Sequence, residues 1–178
     1  MAQEINFDEA SIYVGTYAKY NDGSIFGRWL KLADYSSIGE FYQACAELHA
    51  DEDDPEYMFQ DYEHIPETLI SESWLSDKFF DIRDELDHLD GDEKMPFAIW
   101  CDNGHHDLAR EDCAELIALF RDEYVGEYRN DEDFAIELIE ERDDLSDFAR
   151  SYFDYQAYAR DIFCGDYWSV DGYVFRNS

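Results

Sequence analysis

A chain of 178 residues with 45 Asp and Glu against 13 Lys and Arg has a formal net charge of −32 and a pI near 4.1. That field repels phosphate and attracts basic surfaces, which excludes direct binding of DNA or RNA and favours a cationic protein partner. With 46% hydrophobic and 17% aromatic residues the chain is also too rich in core formers to be an acidic disordered tail, so the charge must sit outside a real core.

Residues 11–32 hold two strand-like runs around Asn21-Asp22-Gly23, which predicts a β-hairpin. Ser37 and Glu40 have capping-box spacing, and Ile38, Phe41, Cys45 and Leu48 then recur at helical intervals. The acidic run Asp51–Asp54 and Pro55 ends this helix, and Glu56–Tyr62 reads as a third strand. From Glu72 to Leu89 the spacing predicts one amphipathic helix, with Leu75, Phe79, Ile82, Leu86 and Leu89 forming its apolar stripe. Asp77, Asp81, Asp84 and Asp87 fall on the opposite face.

A short helix follows over Asp92–Asp102 despite Pro96, then another over Arg110–Glu123. Tyr124–Tyr128 is β-prone, and Asn130 caps a helix with Phe134, Ala135, Leu138 and Ile139 on one side and Asp133, Glu137 and Glu140 on another. Helical stretches over 144–152 and 155–164 precede a hairpin built on Asp171-Gly172. The order of elements predicts an α+β fold in compact pieces.

The chemistry of an enzyme is missing from this pattern. The loops centred on Gly23, Gly91 and Gly104 lack the oxygen ligands of an EF-hand, and no nucleophile elbow, phosphate-binding Gly-rich loop or H-E-x-x-H motif occurs. Cys101, His105, His106 and Cys113 are zinc-ligand types at a spacing that fits no structural zinc pattern. They read as a polar loop with two half-buried thiols. No catalytic residue, metal or cofactor is expected. The four cysteines are widely spaced without a C-x-x-C pair, as in reduced intracellular proteins. The N-terminal MAQEINFDEA has no basic start or apolar run, and no stretch approaches a membrane span of ~18 apolar residues, so a soluble cytoplasmic protein is expected.

The acids themselves are the informative feature. On a helix, carboxylates three or four residues apart rise by about 4.5 to 6 Å, and like charges at that spacing weaken a helix by roughly 0.2 to 0.5 kcal/mol per pair. B-DNA carries one charge per roughly 1.7 Å of axis, so the net charge corresponds to about 54 Å of duplex. A dimer would double that length.

The stretches IYVGTYAKYNDGSIFGRWLKL (Ile12–Leu32), FRDEYVGEYRNDEDFAIELIEE (Phe120–Glu141) and FDYQAYARDIFCGDYWSVDGYVFRN (Phe153–Asn177) resemble the ArdA antirestriction family in sequence and order. Over Asp51–Arg110 the likeness is one of acidity and helical character. The resemblance implies an elongated DNA mimic of three small domains: an N-terminal antiparallel sheet with a helix (1–64), a helical middle (65–109), and C-terminal helices with a short sheet (110–178). It implies a homodimer that occupies the DNA-binding groove of type I restriction-modification enzymes. The acidic surface would comprise Asp77, Asp81, Asp84, Asp87, Asp133, Glu137 and Glu140. The family's antirestriction motif maps onto Tyr124–Glu141, near the family's dimer contact, which makes Tyr124, Val125, Tyr128, Phe134 and Ile136 dimer candidates, each with ordinary core as the alternative reading and Phe134 reading better as core. Two other classes fit the composition: an acidic adaptor or chaperone-like module for basic DNA-associated proteins, and a halophilic protein whose acids serve hydration.

Overall fold

Near-continuous burial of Ser11–Thr16 marks a central strand, and in the computed structural model, which describes residues 6–178, this segment (β1) pairs on both sides. Its neighbours are β2 (Arg28–Lys31) and β3 (Tyr57–Glu63), both antiparallel, in the order β2-β1-β3. The predicted pairing of the first two strands is present, with Ile12 opposite Leu30, but the connection is no tight two-residue turn. Thr16 Oγ1 accepts the Lys19 N–H, starting the one-turn helix α1 (Tyr17–Asn21), and Gly23 supplies a positive φ of 82° before the chain returns. Exposed Arg28 and Lys31 blunt the open edge of β2.

Helix α2 (Ile38–Leu48) covers this sheet through Phe41 and Cys45. Ser37 Oγ accepts the Glu40 N–H as the capping-box spacing predicts, but the return bond runs from Ser36 N–H to Glu40 Oε2 at 2.8 Å. His49 is fully buried beneath the helix end. Lys19 Nζ donates to its Nδ1 at 2.9 Å, so geometry assigns the Nε2–H tautomer, which donates to the Val14 carbonyl at 3.1 Å.

The single helix expected over Glu72–Leu89 is absent. Leu75 lies instead in β5 (Trp74–Leu75), paired with β4 (Ile70–Ser71), and the helix α3 covers only Phe79–Leu86. The physical reason is local: the Leu75 backbone pairs with Ile70, and Ser76 N–H donates to the Leu69 carbonyl at 2.8 Å, so these groups cannot enter a helical ladder. Helix α4 (Lys94–Asn103) carries Pro96 in its first turn, where a missing N–H costs nothing, and buries an unbroken run from Pro96 to Cys101. Helix α5 (Cys113–Glu123) is capped by Asp112, whose Oδ1 accepts the Glu115 N–H.

The chain divides into two compact units, Met1–Ile117 and Ala118–Ser178. Within the second, β6 (Tyr124–Glu127), β7 (Tyr167–Val170) and β8 (Tyr173–Arg176) form an antiparallel sheet in the order β6-β8-β7. Asp171 (φ 53°) and Gly172 (φ 88°) make the predicted tight turn. Helices α6 (Asp131–Glu140), α7 (Asp147–Ser151) and α8 (Tyr155–Ile162) complete the unit. Asn130 caps α6 as expected, its Oδ1 accepting the Asp133 N–H at 2.8 Å. The core gathers Phe134, Ala135, Ala159, Ile162 and Val174. The fold is α+β with small antiparallel sheets.

Candidate acidic interaction surface

Because α3 is short, the four predicted acids do not share one helix. Asp81 and Asp84 lie on α3, Asp77 precedes it in the turn after β5, and Asp87 closes it as C-cap. All four are exposed. Asp81 and Asp84 line a groove of about 560 Å³ together with Glu85, Glu111, Asp112 and Lys78. Glu111 and Asp112 were not legible as members of this patch, since only the fold brings the start of α5 beside α3. The Asp107 backbone N–H donates to Glu111 Oε2 at 2.7 Å and, with His106, holds that carboxyl below the usual range.

Arg83 changes the character of α3. Its Nη1 donates to the Leu32 and Tyr35 carbonyls at 3.1 and 2.8 Å, while Nη2 pairs with Asp84 at 3.1 Å and the guanidinium lies over the Phe80 ring. Asp84 is thus partly neutralised, whereas Asp77, Asp81 and Asp87 make no ion pair among the described residues.

On α6, Asp133 is half-buried and paired with Arg129 Nε at 2.7 Å. Glu137 is exposed; burial and then the nearby Glu137 carboxylate push the Tyr128 phenol up to about 12. Glu140 is exposed and unpaired among the described residues. The helix has three acids in its first turn, which suit the positive end of its dipole, but no basic residue in its last turn.

The cations are largely consumed internally. Lys19 sits between Asp51 and Glu52, Lys78 Nζ donates to the Ala109 carbonyl, Lys94 pairs with Asp8 and Arg110 with Asp107. Arg142 grips Asp144 through both Nε and Nη2, holding that carboxyl down at about 2. Arg150 and Arg176 donate to the Arg142 and Asp122 carbonyls. The result is a folded scaffold most of whose basic groups face its own backbone and selected acids, with Arg28, Lys31 and Arg160 exposed, while many acids face solvent.

The predicted zinc-type residues do not converge. Cys101 and Cys113 are buried, more deeply than the half-buried thiols expected, while His105 is exposed and His106 stacks on Trp100 at 4.3 Å. Among the described residues no three His, Cys, Asp or Glu are grouped to hold a metal. Burial pushes the Cys45 and Cys113 thiols up to about 12 and raises Cys101 further, while Cys164 is exposed.

Of the five dimer candidates, Phe134 takes the core role that its sequence position favoured. Its ring is 2% exposed and packs against Tyr128, Phe163 and Tyr167, so it belongs to the core and offers no surface. Tyr124, Val125, Tyr128 and Ile136 are half-buried. Tyr124 and Val125 lie on β6, an edge strand of the second unit's sheet, with Tyr124 stacked on Phe120 at 5.1 Å.

Fold and surface together define a strongly acidic α+β protein built to present carboxylates. The family model for Antirestriction protein (ArdA) matches residues 12–175, and the chain belongs to this family. Its function is accordingly antirestriction, through interaction with restriction enzymes. No curated protein matches the chain significantly. No helix among the described residues is long and apolar enough to cross a membrane.

Proposed function

We propose that the protein is a DNA mimic that fills the DNA-binding groove of a type I restriction-modification enzyme as a stoichiometric, non-catalytic competitor. The observation that supports this reading is the asymmetry of pairing: most cations are spent on backbone carbonyls and neighbouring carboxylates, and Asp77, Asp81, Asp87 and Glu140 are left exposed and unpaired among the described residues. A cleft lined with Lys and Arg for phosphates meets carboxylates in their place, with charge-assisted hydrogen bonds and release of counterions on both sides. The mimic offers no phosphodiester to cleave and no base to methylate.

The working form is a homodimer through the β6 edge, with Tyr124, Val125, Tyr128 and Ile136 at or beside the contact. Open strand edges pair readily, and a two-fold contact presents the same edge from both copies. Val125→Asp should shift the sedimentation mass from dimer to monomer.

The test of mimicry is a competition assay against a purified type I enzyme. Inhibition should be relieved by added DNA and should weaken steeply between 50 and about 200 mM salt, as multi-phosphate contacts do. Inhibition that persists at saturating DNA and ignores salt would refute it. A pull-down that recovers basic proteins indiscriminately and no restriction enzyme would favour an adaptor instead.

A further inference from the structure

Distributed carboxylates give attraction and speed of encounter but fix orientation poorly, since each exposed charge contributes little alone. Tight recognition usually adds a few aromatic or arginine anchors. Helix α7 carries such a feature. Phe148 and Tyr152, four residues apart, are 75% and 79% exposed, with ring centroids 5.1 Å apart.

Five residues cannot sustain a helix alone, so α7 is held by its surroundings. Ser146 Oγ accepts the Ala149 N–H at 3.1 Å and Ser151 Oγ donates to the Asp147 carbonyl at 2.9 Å. Arg150 ties the helix back to the Arg142 carbonyl, and Arg142 is itself clamped on Asp144. The Phe153 ring sits against Tyr155 and Tyr158 at 5.1 and 5.5 Å, joining α7 to α8. Neighbours on both sides thus fix the platform, while its two outermost rings stay largely exposed.

In the sequence beside these rings Asp143, Asp147 and Asp154 are exposed, Asp154 also accepting the Ala157 N–H as the cap of α8, and the local cations Arg142 and Arg150 are engaged. A second copy of this chain would bring the same acids to the contact, so charge complementarity selects a cation. We infer that Phe148 and Tyr152 form an anchor for an arginine side chain of the restriction enzyme's DNA-binding surface. The guanidinium lies on the ring faces and its N–H groups reach the flanking carboxylates. This rests on the competitive reading above and adds to it a discrete contact that the charge array lacks.

The experiment measures competition by the full-length protein against the purified type I enzyme at two salt concentrations, for wild type, F148A/Y152A and F148L/Y152L. Both variants should keep the wild-type melting temperature and sedimentation mass, because the rings are exposed. Both should need about tenfold more protein for half-inhibition, with the salt slope unchanged. If wild type does not compete with DNA, the proposed function fails and this inference with it. If wild type competes and the alanine variant matches it, only the anchor is overturned. A leucine variant equal to wild type would make the contact merely apolar and rule out the guanidinium. A changed sedimentation mass would make the pair a contact between copies.

Discussion

Arg83 and Gly172 show how single residues hold this molecule in shape. Arg83 satisfies two carbonyls more than forty residues earlier in the chain, and few other side chains could do so with one planar fork. Arg83→Ala should cost about 2 kcal/mol in denaturant unfolding, because hydrogen bonds from a charged donor are lost and two carbonyls are left without it. Arg83→Lys should recover only part of that. Gly172 combines φ 88° with a space where an added Cβ would meet the Tyr128 carbonyl oxygen at 2.5 Å. Gly172→Ala should therefore destabilise by more than about 1 kcal/mol, from strain and close contact together. Competition assays should show inhibition per folded molecule unchanged for Gly172→Ala, which lies outside the acidic patch, and no weaker for Arg83→Ala, which frees the Asp84 carboxylate.

At the level of elements, the acids act as a set. Asp81→Asn or Asp87→Asn alone should change half-inhibition by less than about threefold, since a single exposed ion pair contributes little. Asp77, Asp81, Asp87 and Glu140 neutralised together should lower both affinity and the slope of affinity against salt. Asp84 should matter least, because Arg83 already offsets it. Asp144 gives a pH signature. Its folded pKa is depressed to about 2 from 3.8 by Arg142, so its contribution is present above about pH 4 and lost as pH falls toward 2. The stability difference between wild type and Arg142→Ala should shrink across that window. Features closed by near neighbours were legible in the sequence: the Ser37 and Asn130 caps and the Asp171-Gly172 turn depend on residues within a few positions. Leu75 was misplaced because an apolar residue one turn before Phe79 has the same spacing whether it continues a helix or ends a strand. The acids were legible as composition, but how Arg83 is held against the Leu32 and Tyr35 carbonyls, and how Glu111 and Asp112 come beside Asp81 and Asp84, are set by long-range geometry that spacing does not encode.

For the whole molecule, salt should act in opposite directions on folding and on binding. A net charge of −32 repels itself, and screening over about 10 Å at 0.1 M relieves that repulsion. The melting temperature should rise from 10 mM to about 0.3 M NaCl and then level off, while affinity for the enzyme falls over the same range. A fold that formed only in molar salt would point to a halophilic protein instead. The uneven burial of the four thiols has a practical side. Three are enclosed and hard to ionise, and Cys164 alone faces solvent. A maleimide dye should therefore attach once per chain, as an intact-mass shift of one label would show. The unaltered protein can then report its own pairing and its capture by an enzyme through energy transfer, with no residue replaced.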